Sequence, residues 1–411
     1  MFFYNYRKVI FIFFCFFSVR FLFIYLSGFD NFKLQIDSYW YNAQSDNVLN
    51  GNFNLLRPLF ITAPFFTYFQ ALIKIIFTNH WMIALEFSQI IISSLSGVFL
   101  YKLSYELFYN KKKALVATII FCFYPITFWW VGTFTQDIWF QSFLIIFFYY
   151  FHAAINKSSL KLIIVSAIIF SITYHTKSHI LLFSVFIPII IFLKKNLNFS
   201  SKIKLISIFA SISILFSLPY GIYNLMVNKT YVIGSSGLGG TFLTGHNDDA
   251  YLNHLKLNEL TAEQKKKFSY NLYSIYQELE AKMKNLNPSE KQKIMLDEGM
   301  KWVKENKYKT FELTIYHAKR FFTPGISSFW HPFGKWLVVI IISSPIYVLA
   351  YISIVQLLLS NFNENFWILG LILSLFFFSI FFYYSGRFRV ITLEPYYIIF
   401  AANFIVNFFK K

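Results

Sequence analysis

The 411-residue chain holds two cysteines, ten prolines, fifteen glycines and nineteen acidic residues. Cys15 and Cys122 both sit inside apolar runs, so neither a disulfide framework nor a cysteine-based metal site is available. Proline and glycine at this level exclude collagen-like and low-complexity disordered chains, and no period of the solenoid kind recurs. Charge is scarce too: 14% of residues are Asp, Glu, Lys or Arg, against about 25% in an ordinary soluble domain. What fills the space is apolar, with 57% hydrophobic and 22% aromatic residues, which argues against a soluble globular protein. The formal net charge of +18 does not form a nucleic-acid footprint, because the basic residues come as short clusters between long Phe/Ile/Leu runs. That is the pattern of an all-α polytopic membrane protein.

A bilayer core about 30 Å thick needs roughly 20 apolar residues per helix. Ten segments qualify, at approximately 9–27, 80–108, 114–132, 136–154, 160–174, 178–193, 203–219, 336–358, 366–384 and 390–409, the fifth and sixth being short. A further stretch, Pro64 to Phe77, is shorter, carries Lys74 and follows Pro58, so its length alone leaves it interfacial, re-entrant or spanning. Charge bias decides, because cytoplasmic loops are enriched in Lys and Arg. If this stretch does not span, thirteen basic residues, from Arg7 and Lys8 to Lys410 and Lys411, fall on the cytoplasmic side. If it spans, eleven of them move outside. The sequence therefore predicts about ten spans with both termini cytoplasmic, and the long first apolar run, with no small-residue cleavage site after it, reads as a retained anchor.

This topology divides the chain into an N-terminal transmembrane module, 1–219, an extracytoplasmic domain, 220–334, and a C-terminal transmembrane module, 335–411. The first module carries an outer loop over 28–79. The stretch from Gly234 to Gly240 lacks the Lys-Ser/Thr pair of a phosphate loop and reads as a connection. From about Thr261 to Arg320 the residues turn charged and helix-favouring, with a break and fresh start at Asn287-Pro288-Ser289-Glu290, giving a small, mainly helical domain.

Ionisable residues in or at the mouth of membrane helices are costly and mark candidate sites. Asp37, in Asp37-Ser38-Tyr39-Trp40-Tyr41, begins a helix-like stretch, where a helix N-cap is the plain alternative and is compatible with catalysis. Asp137 opens the fourth span on the same predicted face, where it too suits a cap. Arg20 and Glu86 lie inside spans one and two, where an intramembrane structural pair is an equal reading. Lys177 lies between His175 and His179 in an outer turn; two histidines so placed can bind metal on a helix, but here they straddle a turn with no carboxylate beside them. Arg387 and Arg389, in Ser385-Gly386-Arg387-Phe388-Arg389, oppose the topological charge bias, and guanidinium forks there suit a lipid-linked phosphate, with headgroup snorkelling as the alternative.

In order and sidedness these features resemble the GT-C membrane glycosyltransferases, in particular the group of protein O-mannosyltransferases and lipid A aminoarabinose transferases. The resemblance rests on Asp37 to Ala43, Leu49-Asn50-Gly51 and Ala63 to Tyr68 in the first outer loop. It rests further on Leu218-Pro219-Tyr220 through Asn224 and Gly240 to Asn247 at the exit from span seven, and on Gly386 to Val390 with Glu394-Pro395 in the last span. Three positions depart from that pattern: Val390-Ile391 where a proline is expected, Tyr223 for an arginine, and Thr176-Lys177-Ser178 for a Thr-Arg-Pro-like turn.

The resemblance implies an inverting glycosyltransferase that uses a polyprenyl-phosphate sugar, with Asp37 as general base and an oxocarbenium-like transition state. Arg387, Arg389 and Lys177 would meet the departing phosphate, Asp137 would position the acceptor or a cation, and Tyr39, His246, Asn247, Arg20 and Glu86 would give support. It implies no certain cofactor and leaves a divalent metal open. The acceptor is lipid A, a protein or a polysaccharide, and the partners are membrane lipids, not nucleic acid. The Lys-, Asn-, Ile- and Phe-rich composition is that of an AT-rich bacterial genome, which favours undecaprenyl phosphate and the cytoplasmic (inner) membrane. The competing readings are a transporter or lipid flippase, which would show two related halves not seen here, and a non-catalytic subunit of a surface-glycan assembly. A Gly-x-Ser-x-Gly hydrolase elbow is not found.

Overall fold

A computed structural model of the chain describes residues 6–28, 36–57, 60–255, 274–325 and 333–409. Among them the structure is helical throughout, with a single isolated bridge, Leu56 to Ile61, as its extended pairing. The first helix, α1 (Tyr6–Ser27), buries Ile12, Phe16, Arg20 and Ile24, one residue per turn. That stripe lies on α4 (Trp81–Phe108), where a Cβ on Gly97 would collide with the Phe16 ring. Between them come α2 (Ile36–Leu49) and α3 (Pro64–Phe77), the latter joined to α4 by one 3-10 turn, Thr78–His80. Helix α3, the stretch of ambiguous length, exposes Leu72, Ile75 and Ile76 and turns Gln70 and Lys74 inward. Lys74 Nζ meets Asp46 Oδ1 at 2.5 Å and the Asn42 carbonyl at 3.3 Å on α2.

Helix α5 (Lys111–Phe123) ends where Pro125 lacks the N–H that would continue it, and Tyr124 takes the extended backbone favoured before proline. The predicted third span, 114–132, is therefore broken: a four-residue helix, α6 (Pro125–Phe128), follows and then an irregular turn. Arg20 of α1 takes up the carbonyls freed at this break, Cys122 at 2.6 Å and Phe121 at 3.3 Å, and stacks on Phe16 and Phe128.

Helix α7 (Asp137–Lys157) is the most enclosed of the N-terminal helices and packs on α4 and on α8 (Leu160–Thr176). A 3-10 segment (Ser178–Val185), α9 (Phe186–Leu193) and α10 (Phe199–Asn228) complete this part. The segment after α10 folds as α11 (Leu238–Gly245), α12 (Asp248–Leu255), α13 (Ser274–Met283), α14 (Pro288–Glu305) and α15 (Lys307–Phe322) around Leu243, Leu279, Met283 and Met295. Helix α14 starts with a capping box between Asn287 and Glu290, at the break read from the sequence. The part of that charged stretch over 256–273 lies outside the described residues.

Three helices close the chain: α16 (Phe333–Ser360), α17 (Phe362–Phe381) and α18 (Gly386–Phe408). Helix α18 is buried from Arg389 to Asn403 and packs on α16, α5 and α7, so the last helix is the second axis of the core. By length and composition, seven described helical stretches can cross a membrane, and Leu160–Thr176 and Ser178–Leu193 are shorter apolar ones. With α5, which fills only the first half of 114–132, a helix lies in each of the ten segments of the sequence reading, and the stretch of ambiguous length opens the spanning stretch Pro64–Phe108.

Candidate functional site

The site is built from the turn between α6 and α7. Gln89, a polar residue buried in α4, donates from Nε2 to the Thr133 carbonyl at 2.8 Å and accepts from the Gly132 N–H at 3.0 Å. Gly132 sits at φ +87°, a backbone region that favours glycine. The pinned turn places the Thr133 hydroxyl 3.1 Å from that of Thr135, which donates to Asp137 Oδ2 at 2.7 Å. Asp137 is fully buried in the first turn of α7, where a carboxylate complements the helix dipole.

Two cations converge on it. Arg387, the second residue of α18, donates from Nε to Asp137 Oδ1 at 2.7 Å and from Nη2 to Oδ2, a forked guanidinium–carboxylate pair. Its third edge reaches another part of the chain: Nη1 donates to Asp37 Oδ2 at 2.7 Å, in the first turn of α2. Lys177, at the C-cap of α8, puts Nζ 3.0 Å from Asp137 Oδ1 and 4.9 Å above the Phe388 ring. Burial pulls the Lys177 ammonium below its ordinary pKa, and Asp137 opposes that pull. A cation at the start of α18 runs against the helix dipole, so Arg387 needs the two carboxylates that flank it. The side chain of Asp37 is 46% exposed, whereas that of Asp137 is closed off, so Asp37 is the carboxylate that an outside molecule can reach.

Four of the expected residues are thus brought together: Asp37, Asp137, Lys177 and Arg387. Arg389 is not among them. It points to the end of α15, donating to the carbonyls of Arg320 at 2.8 Å, Phe321 at 3.2 Å and Gly325 at 2.6 Å, and to that of Thr323. The reason is helical: a residue two positions after Arg387 lies about 200° around the axis. Tyr39 is 63% exposed and points away from the protein's interior. His246 lies in the later segment, with Nδ1 3.0 Å from the Phe242 carbonyl, and burial holds its pKa down. Asn247 caps α12, accepting from the Ala250 N–H at 2.7 Å. Arg20 is occupied with the end of α5, as above, and Glu86 is buried on α4.

The two histidines beside Lys177 part company: His175 Nδ1 lies 2.8 Å from the Ser171 carbonyl, while His179 Nε2 lies 3.3 Å from Thr392 Oγ1. Among the described residues no group of three or more His, Cys, Asp and Glu could hold a metal ion. The two carboxylates of the cluster are joined through a guanidinium, a donor set that does not fit a divalent metal.

Tyr41 is the residue at this site that sequence reasoning passed over. It follows Asp37 by one helical turn, is 7% exposed, and has Phe66 edge-on at 5.1 Å and Arg57 over its ring at 5.2 Å. The i, i+4 spacing on a helix was the signal for it. An open apolar groove of about 570 Å³ runs between Pro64, Phe65, Tyr68, Phe69 and Leu72 of α3, Ile172 and His175 of α8, and Phe216, Pro219, Tyr220 and Tyr223 of α10, and none of the four charged residues lines it. Phe65 and Phe69 touch Trp139 of α7, with ring centroids 5.7 and 4.5 Å away, two residues beyond Asp137.

Comparison with known proteins agrees with this architecture. Residues 61–222, under half of the chain, match the family described as dolichyl-phosphate-mannose-protein mannosyltransferase; the match includes Asp137 and Lys177 and leaves out Asp37 and Arg387. No curated protein matches the chain by sequence. Among solved structures, the oligosaccharyltransferase of Archaeoglobus fulgidus is similar in three forms. Tethered to an acceptor peptide containing the NVT sequon, it has a TM-score of 0.57 at 12% identity over 99% of this chain and 50% of that one. In the apo form the TM-score is 0.57 at 11% identity, over 99% and 51%. In complex with Zn and sulfate it is 0.54 at 12% identity, over 98% and 49%. The chain spans about half the length of these structures. It is a multi-pass membrane protein with the fold of the GT-C glycosyltransferases, and over residues 61–222 it is similar to the dolichyl-phosphate-mannose-protein mannosyltransferases.

Proposed function

We propose that this chain is an inverting glycosyltransferase that takes a sugar from a polyprenyl-phosphate donor and moves it to a lipid, glycan or protein acceptor on the outer face of a bacterial inner membrane. Both termini are then cytoplasmic, and the chain divides into membrane modules 1–219 and 335–411 around an extracytoplasmic domain, 220–334. The observation that carries this reading is the half-exposed carboxylate of Asp37, held by Arg387, which is itself fixed by buried Asp137. An open apolar groove between α3, α8 and α10 is of the kind a lipid-linked donor's tail would use.

In this mechanism the acceptor hydroxyl gives its proton to Asp37 as its oxygen bonds to the anomeric carbon. On the opposite face the bond from that carbon to the phosphate oxygen breaks, and the electron pair leaves with the polyprenyl phosphate, inverting the centre. The phosphate leaves as an anion and needs no proton, so one carboxylate suffices. Arg387 and Lys177 set positive charge beside the departing group, where prearranged electrostatics lower the barrier. Asp137 orients those two cations, and Arg389 holds the end of α15 in place.

The test is transfer by the purified full chain from synthetic polyprenyl-phosphate sugars to extracted acceptor glycolipids and peptides. A product of inverted anomeric configuration, formed by the wild type and lost in Asp37→Asn, supports the reading. Transfer from a nucleotide sugar in place of the lipid-linked one would overturn it.

A further inference from the structure

Tyr41 stands one helical turn after Asp37 with its ring fixed and its hydroxyl uncommitted. The ring is held on two sides, edge-on by Phe66 at 5.1 Å and on its face by the Arg57 guanidinium at 5.2 Å. Arg57 is itself steadied over Trp40 and Phe60, at 5.4 and 5.3 Å. Among the described residues the Tyr41 hydroxyl makes no hydrogen bond, and the residue as a whole is 7% exposed. Burial raises its pKa; Arg57 and then Arg387 pull it down, while Asp37 and Asp137 push it up. The phenol therefore stays protonated and sits within the field of two cations and two carboxylates. The hydroxyl keeps a donor free beside Asp37, and a substrate oxygen can accept from it.

We propose that the Tyr41 hydroxyl is a further substrate contact that donates a hydrogen bond to a phosphate oxygen of the lipid-linked donor. This rests on the polyprenyl-phosphate reading above. Within the cluster the donors of Arg387 and Lys177 are shared with Asp37 and Asp137, so an arriving phosphate competes with two carboxylates for them. A neutral donor beside Arg57 binds the anion without adding a charge that the carboxylates would compete for. The position is set by α2: Asp37 and Tyr41 project from consecutive turns of one face, so base and donor move together.

The experiment uses the full chain in detergent, with farnesyl phosphate as probe and farnesol, which has the same tail without the phosphate, as control. Wild type binds farnesyl phosphate more tightly than farnesol. Tyr41→Phe keeps the ring contacts and the melting temperature, loses about tenfold or more in farnesyl phosphate affinity, and binds farnesol as before. Tyr39→Phe, changed at an exposed site, binds both as wild type does. Unchanged farnesyl phosphate affinity in Tyr41→Phe overturns the proposal, and so does its failure to fold, which would mean that the hydroxyl carries a structural bond. Equal wild-type affinity for the two lipids would instead overturn the polyprenyl-phosphate reading itself.

Discussion

Arg387 donates from Nη1 to Asp37 Oδ2 at 2.7 Å across 350 residues of chain, joining the first turn of α2 to the first turn of the last helix. The remaining edge of the same guanidinium is locked on Asp137, so the position of Asp37 is tied to the core through one side chain.

Removing that tie should be far worse than weakening it. Arg387→Ala leaves the buried Asp137 carboxylate with Lys177 alone and frees Asp37. The expected result is a loss of transfer of about a hundredfold or more and weaker donor binding, read by initial rates and donor titration. Arg387→Lys supplies charge without the fork and should recover little, because a single ammonium cannot bridge both carboxylates.

Arg389, two residues away in the same motif, should behave differently. Arg389→Ala strips four carbonyls at the end of α15 of their donor. A fall in stability of about 3 kcal/mol, read as a lower melting temperature, should come with nearly unchanged donor affinity in the protein that remains folded. Loss of donor affinity without loss of stability would return Arg389 to the phosphate.

The contrast between those two arginines shows what could be read from the sequence. Asp37, Asp137, Lys177 and Arg387 each stood out as charge where apolar surroundings and charge bias made it expensive, and the structure gathers them. Arg389 looked equivalent to Arg387, and Tyr39 stood out where Tyr41 did not, because the sequence shows neighbours in a line. Once α18 and α2 are helices, a step of two residues turns the side chain to the far face. Pro125 lies inside the predicted span 114–132, whose apolar run hides the break, and only the freed carbonyls show why Arg20 lies where it does. Gln89 was not legible at all: a polar side chain in an apolar helix does not name a loop 43 residues away.

That loop gives a third prediction. Gln89→Leu removes both bonds to the Gly132–Thr133 turn, releasing Thr135 and with it the orientation of Asp137. Transfer should fall by about tenfold or more, since small displacements of positioned groups are costly, while Asp37 itself is left unchanged. Rates of Gln89→Leu equal to wild type would separate the turn from the site.

A fourth concerns Arg20, whose guanidinium is spent on the end of α5. Arg20→Met keeps the length of the side chain and removes its donors to Phe121, Cys122 and Ser93. The expected cost is about 2 kcal/mol, measured as a lower melting temperature in detergent, with turnover per folded molecule unchanged. A selective loss of turnover would place Arg20 in the reaction.

The most direct test of the central claim is mass spectrometry of polyprenyl-phosphate sugars and surface glycoconjugates in cells lacking this chain, complemented with wild type or with Asp37→Asn. The account predicts that one sugar disappears from one acceptor, that its polyprenyl-phosphate form accumulates, and that only wild type restores transfer. Restoration by Asp37→Asn, or an unchanged glycan profile in the deletion, would contradict it.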